Sequence, residues 1–473
     1  MVQFINRERE LEFLEGRCRS GEAELIVLYG RRRVGKTELI RRFGEGWKMM
    51  YFLGRLEARE ETLRRFSSTL AESFGDSRLM SNPLRDWDAA FEYLAEKSAQ
   101  RVVLAIDEFP FMAERFPEIV SVLQDKWDNR LKSSMLMLIL SGSSVGMMEK
   151  HALDYKSPLY GRRTGQWKLD KMGIGHLGAF FPGYGMEDIV RLFACLDAIP
   201  GYLVKFSPDK SIADNIRERM LSKGEFLYEE VEILMREELR DPSNYMTILA
   251  SVAGGVSSFG EICSRSRLEK SLVSKYLHVL ERLGIVEKRL PITATAKAVL
   301  KSSGALYSMK DNFFDFWFRF VYPNRQELER GAARQVSEAI MPDFERYVSR
   351  KFEDFAAEFV SLGHAGTFGR VGKWWGKSRE GNIMEIDVAA VNEKSGNALF
   401  GECKWQRGVN ALKVAEALAG KVEAAAPRAG KVTLAIFAKS FSKRVAKLEG
   451  RRVLCFDLKD MERALSARAK KRC

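Results

Sequence analysis

Apolar positions follow two rhythms along the chain. Short unbroken apolar runs, Leu25-Ile26-Val27-Leu28-Tyr29, Val102-Val103-Leu104-Ala105-Ile106 and Met135-Leu136-Met137-Leu138-Ile139-Leu140, read as strands buried on both faces. Each ends in a polar or glycine-rich turn, which is how a parallel strand leaves a core. From about Glu187 to Leu239 the spacing becomes helical, as in Ile189, Leu192, Phe193 and Leu196, with Pro200-Gly201-Tyr202 breaking the run. Tyr245 to Arg289 reads as three short helices followed by a hairpin. In the third helix Leu272, Val273, Tyr276, Leu277 and Leu280 make one apolar face and Lys270, Ser271, Ser274 and Lys275 lie off it. Further on, Met384 to Val391 and Ala398 to Trp405 read as two more strands. The pattern predicts an α/β core over 1–180, a helical segment over 181–240, a three-helix unit with a hairpin over 241–305 and a second α/β unit over 306–473.

The turn after the first strand carries the first chemistry. Gly30-Arg31-Arg32-Arg33-Val34-Gly35-Lys36-Thr37 is a full match to the phosphate-cradling pattern G-x-x-x-x-G-K-[ST], and Glu38 onward continues as a helix. Glycines let the backbone wrap an anion, and amides at a helix start point at phosphate oxygens. Lys36 would reach the β- and γ-phosphates and Thr37 would hold Mg²⁺. A chance glycine turn beside a lysine is the plain alternative. The second strand weakens that alternative, because it ends in Asp107-Glu108, as a Walker B strand does. Asp107 would bind the metal through water and Glu108 would polarise the attacking water, so the pair predicts ATP binding and hydrolysis.

Composition sets outer limits. A chain of 473 residues is too long for one ordinary core, and about three domains are expected. No apolar stretch approaches the ~20 residues that cross a bilayer, and Met1 to Arg7 lacks a signal-peptide core, which predicts a cytoplasmic protein. The six cysteines are scattered with no C-x-x-C pair, so zinc and structural disulfides are not expected. Lys and Arg exceed Asp and Glu by 77 − 64 = 13. That excess fits a polyanionic partner or merely a soluble basic surface.

Several segments together resemble the archaeal-type AAA+ ATPase family: Phe4-Ile5-Asn6-Arg7-Glu8-Arg9-Glu10-Leu11, Tyr29 to Thr37, Ile106-Asp107-Glu108, Leu140-Ser141-Gly142-Ser143-Ser144 and Leu159-Tyr160-Gly161-Arg162. That family is related to origin-binding and STAND signalling ATPases. The resemblance implies that Phe4, Ile5 and Arg7 contact the nucleotide base. It implies that Ser141 or Ser143 senses the γ-phosphate, and that the 181–240 helices form a lid. An arginine in Arg162-Arg163 would act as a finger, with a solvated arginine pair as the alternative. Tyr245 to Arg289 has the pattern of a winged helix-turn-helix, a module that serves either DNA or protein partners.

The last unit holds a second candidate chemistry. Asp387 on one strand, with Glu402 and Lys404 two residues apart on the next, is the D…(D/E)-x-K arrangement of restriction-endonuclease-like nucleases. Strand side chains alternate, so Glu402 and Lys404 share a face. Asp387 and Glu402 would share a divalent cation, Lys404 would steady hydroxide or phosphate charge, and Glu353 on the preceding helix would complete the site. Asp311 to Val321 is densely aromatic and reads as packing. The tail, with Lys439, Lys443, Arg444, Lys447, Arg451, Arg452, Arg463, Arg468, Lys470, Lys471 and Arg472, offers positive charge to a polyphosphate chain or is simply a solvated end. The expectation is thus an ATP- and Mg²⁺-dependent ATPase that engages duplex DNA, with a nuclease-like domain and possible self-association. The alternative is a STAND-like switch that binds a protein partner and cuts nothing.

Overall fold

The computed structural model describes residues 4–292, 304–377, 381, 383–425 and 430–470, which fall into two compact units, Gln3–Lys171 and Met172–Cys473. The first is built on five parallel strands: β1 (Glu24–Tyr29), β2 (Met49–Leu53), β3 (Val102–Asp107), β4 (Leu136–Gly142) and β5 (Gly165–Lys168). Their order is β2-β3-β4-β1-β5. Side chains alternate between two cores, which explains the unbroken apolar runs. Leu25, Leu104, Ile106, Leu138 and Leu140 enter one core, and Ile26, Leu28, Val103, Ala105, Met137 and Ile139 enter the other. Because β4 lies between β1 and β3, the turns after these three strands open on the same carboxyl edge, where parallel sheets bind ligands.

The second unit begins with helices, including Met186–Leu196 and Phe226–Glu238. Three further helices follow, Ser243–Ala253, Phe259–Ser266 and Lys270–Arg282, and then the antiparallel pair β6 (Val286–Arg289) and β7 (Leu306–Met309). A capping box between Ser258 and Glu261 starts the middle helix. The apolar face expected on the third helix is narrower than its spacing implies: Val273, Leu277 and Leu280 are buried, but Leu272 is exposed beside Lys275. The aromatic run is core, with Phe313, Phe314, Phe316, Trp317, Phe318 and Phe320 all buried.

After it comes the 29-residue helix Ala333–Ser361, then strands β8 (Arg370–Lys377), β9 (Ile383–Val391) and β10 (Ala398–Lys404). Beyond these lie β11 (Val409–Asn410), the helix Ala411–Ala425, β12 (Val432–Ala438), β13 (Phe441–Lys443), β14 (Lys447–Leu448) and β15 (Arg451–Asp457). The six-stranded sheet has the order β14-β15-β12-β10-β9-β8. β8, β9 and β10 form an antiparallel meander, and β12 and β15 add on parallel to β10. Among the described residues no helix is long and apolar enough to cross a membrane.

Candidate functional site

The phosphate loop leaves β1 and enters the helix Lys36–Gly44. Its glycines are conformationally required. A Cβ on Gly30 would lie 2.2 Å from the Leu169 carbonyl oxygen, and Gly35 has φ of 94°, which costs an L-residue strain. Lys36, only 6% exposed, donates from Nζ to the Gly30 and Arg31 carbonyls at 2.8 and 3.1 Å. An ammonium held over the loop in this way stands where phosphate oxygens would replace the carbonyls. Arg31, Arg32, Arg33 and Val34 form the loop between the glycines, with Arg33 in the left-handed region at φ 70°. Glu38 lies in the first turn of the helix.

Asp107, Glu108, Ser141 and Ser143 stand on the neighbouring strand ends. The Thr37 hydroxyl donates to Asp107 Oδ2 at 2.7 Å, so a hydroxyl and a carboxylate already face one another as a metal pair would. The Tyr51 hydroxyl donates to the same oxygen at 2.9 Å, and the Glu108 amide donates to Oδ1 at 3.1 Å. Burial, and then the Asp107 charge, push the Tyr51 phenol above its ordinary pKa, so it remains a donor. Tyr51 was not among the residues the motifs select. Glu108 itself sits at φ 52° and ψ 40°, an unfavourable conformation for a carboxylate residue and one that concentrates at functional sites. Its Oε2 accepts the Ser143 amide at 3.1 Å. Among the described residues the buried Ser141 and Ser143 hydroxyls find no hydrogen-bond partner, as groups awaiting a ligand would. The cradle, the metal pair, the carboxylate and the orphaned hydroxyls fit a magnesium nucleotide.

Of the three residues expected as nucleotide contacts, Arg7 and Phe4 have partners within the fold. Arg7, with φ of 86°, buttresses the loop: its guanidinium donates to the Val34 carbonyl at 2.9 Å and to the Asp170 carbonyl at 2.7 Å. Phe4 packs on the core that includes Leu39 and Ile40, with the Arg42 guanidinium 5.9 Å from its ring, and Ile5 is half-buried. Arg162, the expected finger, spends its fork on Asp128, with Nη2 to Oδ2 at 2.8 Å, and on the Pro158 carbonyl at 3.1 Å.

The four polar residues of the C-terminal unit converge. Pairing of β9 with β10 stops at Val388 and Gly401, so Asp387 and Glu402 lie just where the strands part. There Asp387 Oδ2 accepts the Cys403 amide at 2.8 Å. Glu353 reaches the site from the long helix, and burial, with Asp387 adding to it against the opposing pull of Lys373, pushes its carboxyl up to about 7. Burial and then Glu402 likewise raise Asp387. The carboxylates are held by lysines. Lys404 and Lys421 each lie 2.9 Å from one oxygen of Glu402, and Lys373 bonds Glu353. Among the described residues no group of three or more His, Cys, Asp or Glu is arranged to hold a metal ion.

The basic tail is partly paired within the fold. Lys439 pairs with Glu187 at 2.9 Å, Arg451 with Glu423 at 2.9 Å, and Arg444 with Asp457 and Asp460, and Arg463 lies 2.5 Å from Asp460. Much of its charge is therefore spent within the fold. The side chains from Arg468 onward, with Lys470, Lys471 and Arg472, lie outside the described residues.

Residues 4–206 match an ATPase domain family described as predominantly from Archaea, and residues 317–418 match a family of archaeal and bacterial proteins of unknown function. The chain is 32% identical over 408 residues to an uncharacterised protein of Methanocaldococcus jannaschii, covering 85% of this chain and 88% of the relative. A Walker-type ATPase of Pyrococcus abyssi, PABY2304, shares the fold with a TM-score of 0.51 at 22% identity, over 67% of this chain and 96% of that one. The ORC2 protein of Aeropyrum pernix, solved in ADPNP and ADP complexes, is similar at a TM-score of 0.42 and 13% identity, over 72% of this chain and 97% of that one.

Proposed function

The chain belongs to the family of archaeal-type P-loop ATPases, which bind and hydrolyse ATP, and we propose that its own ATP cycle serves a DNA-engaging C-terminal half that contains a divalent-metal-dependent nuclease site. In this reading Lys36 neutralises the β- and γ-phosphates, and Thr37 and Asp107 hold Mg²⁺. Glu108 orients the attacking water, and Ser141 or Ser143 reads the γ-phosphate. Held there, Mg²⁺ would supply charge neutralisation.

One observation carries the nuclease part. Glu353, Asp387, Glu402 and Lys404 come from a helix and two strands far apart in sequence, yet all stand where β9 and β10 separate. Partial burial and the mutual repulsion of Glu353 with Asp387 and of Asp387 with Glu402 support a functional site. The three helices and the β6–β7 pair of 241–305 suit a winged helix-turn-helix that docks the duplex, with Lys270 and Lys275 exposed on the third helix.

A second reading rests on the lysines. Lys373, Lys404 and Lys421 neutralise the carboxylates without any metal, as they would in a domain that has become a protein-binding switch of the STAND kind. The test is cleavage of supercoiled plasmid with Mg²⁺ or Mn²⁺, with and without ATP, by the wild type, Asp387→Ala and Lys36→Ala. Cutting that disappears in Asp387→Ala supports the nuclease. Intact ATP turnover with no cutting by the wild type transfers the assignment to the switch.

A further inference from the structure

Beside the three-helix unit runs a cavity of about 950 Å³ whose charge is one-sided. Arg265, Arg319, Arg346 and Arg350 line it, and Asp343 is its one acid. Arg346 is answered by Asp343 at 3.1 Å. Among the described residues Arg265 and Arg350 make no ion pair. Arg319 donates only to the Ala253 carbonyl at 2.8 Å, half-buried against the Tyr347 ring. Burial, and after it the Arg350 charge, hold the Arg319 guanidinium below its usual pKa against the opposing pull of Asp315 and Asp343, so the two cations repel one another. Such an arrangement costs free energy in the empty protein and is relieved by a bound anion.

The cavity continues. Ala253, Arg319 and Arg350 also line a second cavity of about 280 Å³, whose far wall contains Glu353 and Lys373. Along this inner wall the cations are matched: Arg289 lies 2.9 Å from Asp354, and Lys351 lies 2.7 Å from Asp315. Among the described residues, cations without an ion pair therefore mark the outer groove, and the adjoining cavity is lined by Glu353, the first carboxylate of the candidate cutting site. At the outer end Tyr322 is 41% exposed, braced at 5.6 Å by Trp317 and at 5.5 Å by Phe318. A braced, exposed aromatic ring among unpaired guanidinium groups is how proteins grip unpaired bases and their phosphates.

We propose that this groove binds single-stranded nucleic acid and leads it to the Glu353 carboxylate. Arg265, Arg319 and Arg350 hold successive phosphates and Tyr322 stacks a base. The proposal rests on the DNA-engaging reading above and deepens it: the strand that is cut is an unpaired one, and its path is separate from any duplex docked on the third helix. An acidic polypeptide is the competing occupant, and it has no use for an aromatic stacking surface.

The experiment is fluorescence anisotropy of a labelled oligothymidylate on the full chain, at about 0.1 M salt where phosphate contacts still count. Arg350→Glu and Arg265→Glu are compared with Arg334→Glu, which makes the same charge change on the same long helix as Arg350 but outside the groove, and with Tyr322→Ala. Thermal unfolding of each variant reports folding. The expected result is a loss of about tenfold or more in affinity for Arg350→Glu and Arg265→Glu. Tyr322→Ala should lose about fivefold or more through stacking, and Arg334→Glu should bind like the wild type. If the wild type binds oligothymidylate but the groove variants bind it as Arg334→Glu does, the groove assignment is wrong and the DNA-engaging reading survives. If the wild type binds neither single strand nor duplex, that reading falls and takes the groove with it. Displacement of the oligonucleotide by polyglutamate of equal charge at equal concentration would overturn the choice of nucleic acid over an acidic protein.

Discussion

The hydroxyl of Tyr51 gives the sharpest test of the nucleotide site. Asp107 is 1% exposed, and its buried carboxylate is satisfied by three donors: Thr37 and Tyr51 on Oδ2, and the Glu108 amide on Oδ1. If, as proposed, Thr37 turns its hydroxyl to Mg²⁺, Tyr51 would be the one side-chain donor left on Oδ2 among the described residues. Tyr51→Phe removes that donor and keeps the ring, including its stacking under Arg41 at 5.7 Å. A hydrogen bond to a charged group contributes about 1.5–3 kcal/mol. If Asp107 needs that bond to hold the metal through the transition state, about 2 kcal/mol converts to roughly a 30-fold loss in kcat/KM. Phosphate release measured across a Mg²⁺ titration should show this loss, together with a higher Mg²⁺ concentration for half-maximal rate. Affinity for ATP without metal should change little, because Tyr51 points at the acid and Lys36 serves the phosphates. A kcat/KM within twofold of the wild type at every Mg²⁺ concentration would show that Tyr51 merely fills space beside Asp107.

Lys36→Ala should abolish turnover and weaken ATP binding by about 100-fold or more, read by nucleotide fluorescence, since its buried ammonium over the loop is the charge proposed to neutralise the β- and γ-phosphates. Gly30→Ala must displace the Leu169 carbonyl, which its Cβ would approach to 2.2 Å, so thermal unfolding should show a loss of about 1–3 kcal/mol along with weakened nucleotide binding. In chelator, Glu353 makes the C-terminal unit pH-sensitive. Its carboxyl titrates near 7 in the fold and near the ordinary glutamate value of 4.5 when unfolded, so the folded state holds the proton more tightly. Its contribution is complete below about pH 4.5 and is lost as pH rises through about 7, on the order of 3 kcal/mol at ~1.4 kcal/mol per unit. Urea unfolding between pH 4.5 and 8 should show that decline in the wild type and a flatter profile in Glu353→Gln.

What could be read from the chain and what could not divides by the range of the interaction. The phosphate loop and the β3 acid pair were legible because a strand, a turn and a helix start are fixed within about ten residues, and the chemistry of each is local. The D…(D/E)-x-K residues were legible as a pattern, and their convergence needed the parting of β9 from β10, which pairing at Val388 and Gly401 decides. The partners of Arg162 and of the tail were not legible, for the opposite reason. Asp128 stands 34 positions from Arg162 and Glu187 stands 252 from Lys439, so no local count of acids shows that these cations are spent. Tyr51 was missed in the same way: nothing on β2 announces an active-site role, and only the sheet order, with β2 beside β3, puts its hydroxyl on Asp107. The groove arginines complete the argument. Arg265, Arg319 and Arg350 lie on three separate segments, each unremarkable among 77 basic residues, and their significance is what they lack. The net charge of +13 pointed toward a polyanion, but the part of it free to meet one is set by which cations the fold leaves without an acid, and that is a property of tertiary pairing alone.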